Sequence, residues 1–157
     1  MNELTKGILI ALVPAIVVSV LTSYITVRLS LKQFYSQRWW DKKEVEYTQI
    51  MRELARLKLC FSGWYADLFY HKVMTKQDSE KLTETYKKAS KSLARISAVG
   101  TFVISEKAVD ALGDLLAQFE EEEPRGDPYA ALERDYKAVE QCIRKVNQCA
   151  RKDLQKR

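Results

Sequence analysis

The apolar positions of this chain follow two regimes that meet near Arg28. Across residues 7–27 no side chain is charged. A run of that length predicts a membrane-spanning helix, which needs about 20 apolar residues. Beyond it the apolar positions become periodic. Tyr47, Ile50, Leu54, Leu57, Phe61, Trp64 and Leu68 step by 3, 4, 3, 4, 3 and 4, which is a helical seam with heptad-like spacing. Extrapolated backward, the seam passes through Trp40. Polar turn residues over 74–78 end this first helix near Lys72. A second seam at Leu82, Tyr86, Ala89, Leu93 and Ile96 predicts a helix over about 79–98, with Gly100 as its C-terminal cap. Ser105 is placed to cap a third helix, and Ile104 and Val109 have the spacing of a hydrophobic staple. That helix presents Val109, Leu112, Leu116 and Phe119, then runs into the acidic stretch 120–123, where carboxylates oppose the helix dipole. Asp127 and Pro128 read as N-cap and first position of a last helix. Its seam is Tyr129, Leu132, Tyr136, Val139, Ile143, Val146 and Ala150.

The expected fold is all-α: an N-terminal transmembrane helix that continues into a stalk, then an antiparallel four-helix cytosolic bundle. The divisions are an external N-terminus at 1–6, a transmembrane helix at 7–27, a basic aromatic stalk at 28–46 and the bundle at 47–157. The first helix outruns its neighbours, because 45 residues give roughly 65 Å and the second and third helices only about 25–30 Å. The apolar connection 99–104 reads as a bend tucked under the core.

The small residues of the uncharged segment, Gly7, Ala11, Ala15, Ser19 and Ser23, all fall four apart. That is the spacing of close helix packing in lipid, so the segment is expected to self-associate into a homo-oligomer of unspecified number. Pro14 frees one backbone carbonyl in its middle. Glu3 offsets Lys6 ahead of the segment, whereas Arg28, Lys32, Arg38, Lys42 and Lys43 follow it against Asp41 alone. The positive-inside rule then puts the N-terminus outside and the body in the cytosol, at a bacterial inner membrane.

Composition narrows the chemistry. The 157 residues include 5 Gly and 3 Pro, too few for the turns of a β-sandwich. Cys60, Cys142 and Cys149 are odd in number and form no CxxC pair, so they read as reduced thiols and not as a disulfide framework. His71 is the only histidine and no ligand spacing is present, so no metal is expected. No Gly-rich phosphate loop, HExxH or nucleophile elbow occurs. Neither catalysis nor a cofactor is expected, and there is no catalytic residue to name.

Charge is distributed unevenly. The net +5 resolves into +4 over residues 28–43, −4 over 44–143 and +5 over 144–157. In an up-down-up-down bundle the last helix returns toward the membrane. Arg144, Lys145, Arg151, Lys152, Lys156 and Arg157 would then approach Lys42 and Lys43, with Arg38 nearby. These residues are candidates for binding anionic lipid or a small anionic ligand such as a nucleotide signal. Lipid contact requires the stalk to bend or tilt, since a straight one holds the C-terminal cluster some 20 Å away, beyond a Debye length of about 8 Å. The clusters are too small and too localised for general nucleic-acid binding. Trp39 and Trp40 are candidate interface aromatics, because adjacent helical side chains diverge by about 100° and cannot share one core.

The stretch 39–51, WWDKKEVEYTQIM, resembles the junction in small bacterial proteins with one N-terminal membrane helix and a cytosolic helical domain. Residues 103–112, VISEKAVDAL, are similar to the start of their third helix. The resemblance implies no catalytic residue. Membrane effectors of bacterial antiviral systems share this architecture. The ATP synthase b subunit differs in its long Ala- and charge-rich stalk, and a phage spanin would place the body outside the cytosol. The expected function is a membrane-anchored, non-enzymatic module that binds or senses a cytosolic protein or anionic ligand at the lipid surface. The alternative is a ligand- or partner-gated effector that perturbs the membrane, for example in antiviral defence.

Overall fold

The computed structural model describes residues 3–70, 74–121 and 128–155, with side chains from Ile16 onward except those of Tyr70, Thr101 and Pro128. Among the described residues the chain is all-α, with four α-helices and no strand: α1 (Glu3–Tyr70), α2 (Lys76–Val99), α3 (Glu106–Glu120) and α4 (Pro128–Gln155). A short 3-10 turn, Gly100–Phe102, follows α2. The chain forms two compact units, Met1–Asp41 and Lys42–Arg157, and α1 contributes to both.

In the first unit, the described side chains from Ile16 to Trp39 are all exposed. Among the described residues no helix is long and apolar enough to cross a membrane. The side chains of Gly7, Ala11 and Ala15 lie outside the described residues, so only the 16–27 part of the expected span is described with side chains. That part alone is shorter than the roughly 20 residues a span requires.

The second unit is a helical bundle around one apolar core. Tyr47, Ile50, Leu54, Leu57 and Phe61 of α1 are buried against Ala89, Leu93 and Ile96 of α2, four residues of α3, and Val139, Cys142 and Val146 of α4. Cross-helix contacts fix the helix directions. At one end Tyr47 reaches both Ser105 before α3 and Asp153 near the end of α4. At the other, Cys60 Sγ lies 3.5 Å from the Leu82 carbonyl early in α2, and Phe69 packs edge-on against Tyr129 at the start of α4, 5.3 Å between centroids. Sequential helices therefore alternate in direction, as the short connections demand.

Two helix ends differ from the expected pattern. α2 starts at Lys76, earlier than 79, because the Thr75 hydroxyl accepts the Asp78 N–H at 3.2 Å and donates to the Asp78 carboxylate at 2.7 Å. Gly100 occupies the C-cap of α2 but keeps a right-handed conformation, φ −65°. Close approach explains this glycine: a Cβ there would stand 3.1 Å from Ile104 Cδ1. The bend is only half tucked. Gly100 and Ile104 are buried, while Val99 is exposed and Phe102 is 77% exposed.

The buried face of α3 is turned by one residue from the expected seam. Ala108, Ala111, Leu112 and Leu115 are buried, while Val109, Leu116 and Phe119 are only partly covered. Alanines carry little hydropathic signal, yet their small volume lets α4 approach until Cys142 Sγ lies 3.3 Å from the Ala111 carbonyl. Leu115→Ala should therefore destabilise the bundle by about 2–5 kcal/mol, as full truncation in a core does, and Leu116→Ala by distinctly less. Equilibrium unfolding followed by near-UV circular dichroism distinguishes them; the reverse order would show that the α3 face is misassigned.

Candidate functional site

In the first unit the aromatic and basic residues interleave on one helix. The Arg38 guanidinium lies 4.9 Å from the Phe34 ring centroid, and Phe34 meets Tyr35 edge-on at 6.1 Å. A cation over a ring face is an attractive contact worth about 0.5–1 kcal/mol when exposed. Trp39 is exposed and Trp40 half-buried, the divergence expected of adjacent helical positions. Ser19 and Ser23 are exposed.

In the second unit, one end of the bundle is organised by Tyr47. Its buried ring places Oη where it donates to Asp153 Oδ2 at 2.5 Å and accepts the Ser105 N–H at 3.3 Å. Ser105 Oγ is 3.2 Å from the same oxygen. Ser105 occupies the N-cap of α3, but its hydroxyl makes no capping bond to the helix. This network ties α1, the start of α3 and the last turns of α4 together. It also brings basic residues to one end, because Lys43 precedes Tyr47 by about one helical turn and Lys152 adjoins Asp153. Lys42 is exposed and Lys43 half-buried.

Arg144, Lys145, Arg151 and Lys152 are all exposed on α4. The first and second pairs are seven residues apart, so they repeat on one side of the helix, away from Val139, Cys142 and Val146. Gln141 and Gln148 are exposed between them. Lys145 reaches Asp114 of α3 at 3.8 Å. The result is an open basic strip and not a concave anion pocket. Lys156, Arg157, His71 and Asp127 lie outside the described residues.

The clefts of the bundle lie elsewhere. One of about 390 Å³ is bordered by Ser62, Tyr65 and Ala66 of α1 and by Glu133, Tyr136, Lys137 and Glu140 of α4. Beside it Lys58 Nζ pairs with Glu140 at 2.7 Å. That contact lowers the Glu140 carboxyl and raises the Lys58 ammonium, but exposed pairs contribute little to stability. A second cleft of about 450 Å³ has Phe61, Trp64, Tyr86 and Phe119 on its wall and Arg134 on its rim, 3.0 Å from Asp135 and 4.0 Å from Glu121.

The three cysteines are free thiols. Burial pushes the Cys60 thiol up and the Cys142 thiol up to about 12, so neither supplies the thiolate that nucleophilic chemistry needs. Among the described residues no His, Cys, Asp and Glu group could hold a metal ion. Comparison with protein-family models, curated proteins and solved structures finds no match to this chain. None of these comparisons supports the resemblance to single-pass membrane proteins expected from residues 39–51 and 103–112.

Burial and donation to Asp153 raise the Tyr47 phenol from 10.0 to about 12. The folded state thus holds this proton more tightly than the unfolded chain. The contribution to stability is complete below about pH 10 and is lost as pH rises toward 12. Tyr47→Phe should cost roughly 1–2 kcal/mol at neutral pH and remove that part of the alkaline stability loss. Urea titrations from pH 7 to 11.5 test this. An unchanged alkaline slope in the variant would contradict the assignment.

Proposed function

We propose that this chain is a membrane-anchored, non-enzymatic binding module that self-associates through its N-terminal apolar segment and holds an anionic partner at the cytosolic lipid surface. The observation that carries the reading is the surface of α1 in the first unit. Val18 and Leu29 are each 62% exposed, and Ile16, Val17, Val20, Leu21, Ile25 and Val27 are exposed with them. Consecutive exposed residues cover all sides of the helix. A helix apolar all round is stable only inside a larger core or a bilayer. In the sequence, residues 7–15 are uncharged as well, so the uncharged run of 7–27 reaches the length a bilayer requires. The basic bias after Arg28 supports an orientation with the bundle in the cytosol.

The second unit supports binding over catalysis through its open basic strip on α4. Arg144, Lys145, Arg151 and Lys152 would meet an extended anionic surface as readily as a small anion, each near-surface charge worth about 1 kcal/mol against acidic lipid. The small-residue row Gly7, Ala11, Ala15, Ser19 and Ser23 supports self-association in lipid.

Fractionation of cells expressing the full chain tests the anchor. The protein should stay in the pellet after an alkaline carbonate wash, and a tag after Arg157 should be protected from protease outside intact spheroplasts. Release into the wash would overturn the anchor, and external digestion of the tag would overturn the orientation. Ala15→Leu with Ser19→Leu should lower crosslinked oligomer at least several-fold in those membranes, and an unchanged ladder would refute the packing face. Membrane potential should remain intact on overexpression; its collapse would favour the gated effector.

A further inference from the structure

The helices leave an open cleft toward the end of the bundle away from Tyr47. About 450 Å³ in volume, it is walled by Phe61 and Trp64 of α1, Tyr86 of α2 and Phe119 of α3. These rings form one cluster. Their centroids are 5.5 Å apart for Phe61 with Trp64, Trp64 with Tyr86 and Phe61 with Phe119, and 5.8 Å apart for Tyr86 with Phe119. Phe61 is buried, but Trp64, Tyr86 and Phe119 are only half-buried. A concave volume of this size, mostly apolar with a few polar groups at its edge, suits a small organic molecule.

The polar groups select the sign of that molecule. Asp67 of α1, Asp135 of α4 and Glu121 just after α3 border the cleft together with Arg134, so three carboxylates against one guanidinium leave a formal charge of −2. Arg134 is already engaged at the rim, with Nε 3.0 Å from Asp135 Oδ1 and a terminal nitrogen 4.0 Å from Glu121. Asp67 is half-buried and accepts the Met74 N–H at 2.8 Å, which holds its carboxylate in place. Burial pushes the Tyr86 phenol up, and the charge of Asp135 adds to this, so carboxylate and ring are neighbours. A ring face attracts a cation. Among the described residues the cations found over a ring are Arg38 on Phe34 and Lys58 on Tyr136, and neither pair lies in this cleft.

We propose that this cleft binds a small organic cation of the quaternary ammonium class. Hydration and shape decide between cations. A primary ammonium is strongly hydrated and brings three donors that must each be satisfied. A guanidinium binds carboxylates through a planar fork, and Arg134 already takes that place at Asp135. A methyl-covered ammonium has no N–H to satisfy. It gains from the ring faces directly and needs the carboxylates only for their charge. The site shares no residue with the basic strip of α4 and has the opposite sign, so it stands independently of the function proposed above.

Choline tests this on the full chain in dodecyl maltoside micelles at constant ionic strength. The control is dimethylbutanol, in which carbon replaces the charged nitrogen. In a Trp39→Phe, Trp40→Phe background, Trp64 is the one tryptophan left and reports binding by fluorescence. Choline should change the Trp64 emission saturably, and dimethylbutanol should bind at least ten-fold more weakly. Asp67→Asn with Asp135→Asn keeps an acceptor oxygen at both positions and removes both charges; it should weaken choline at least ten-fold. Tyr86→Leu should weaken it at least five-fold, with near-UV circular dichroism checking that each variant keeps its bundle. An emission that changes only linearly with choline would refute the site. Equal binding of dimethylbutanol, or unchanged choline binding in the Asn pair, would show an apolar cavity indifferent to charge and overturn the proposal. Tighter binding of butylguanidinium would overturn it as well, by assigning the cleft to an arginine side chain of a partner.

Discussion

The bundle depends on one repeated contact, the 3–4 stepping of apolar side chains on the inner side of α1. Ile50, Leu54 and Leu57 are completely buried there. Burying such a side chain contributes about 1.5–3 kcal/mol, and this row shares one buried cluster with residues of the other three helices. Phe61 meets Tyr86 of α2 and Phe119 of α3 within 6 Å, so one ring joins three helices. The seam also determines what remains outside. With its inner side filled by three neighbours, the outer side of α1 in the second unit stays exposed at Val45, Thr48, Arg52, Ala55 and Leu59.

The arrangement separates two chemistries along one helix. In the second unit the apolar surface of α1 is largely covered by the chain itself. In the first unit the apolar side chains from Ile16 to Leu31 are all exposed. The basic residues fall between and beside these regions, and α4 repeats them in an open strip. The function proposed above would require such a division, with a self-sufficient core, an anchor that is not, and charge presented where it can be reached.

Much of the fold was legible because the α1 and α4 seams are long and strongly apolar. The α3 face was not, because its buried positions include Ala108 and Ala111, whose role is to permit close approach and not to signal hydrophobicity. The start of α2 could have been found from Thr75 and Asp78, whose spacing is that of a capping pair. The Tyr47 network was beyond reach, since its partners are 58 and 106 residues away. Of the candidate site, the outward placement of Arg144, Lys145, Arg151 and Lys152 followed from the seam. Their openness did not, because periodicity gives a side chain's direction and not the concavity around it.

Under the proposed function, lipid covers the apolar surface of α1. Spin labels placed singly from Ile16 to Lys32 in the reconstituted full chain measure this most directly, through their collisions with dissolved oxygen and with a water-soluble nickel complex. Lipid burial would give high oxygen and low nickel accessibility through Val27, reversing between Arg28 and Lys32. Uniform nickel accessibility along the same residues would contradict it.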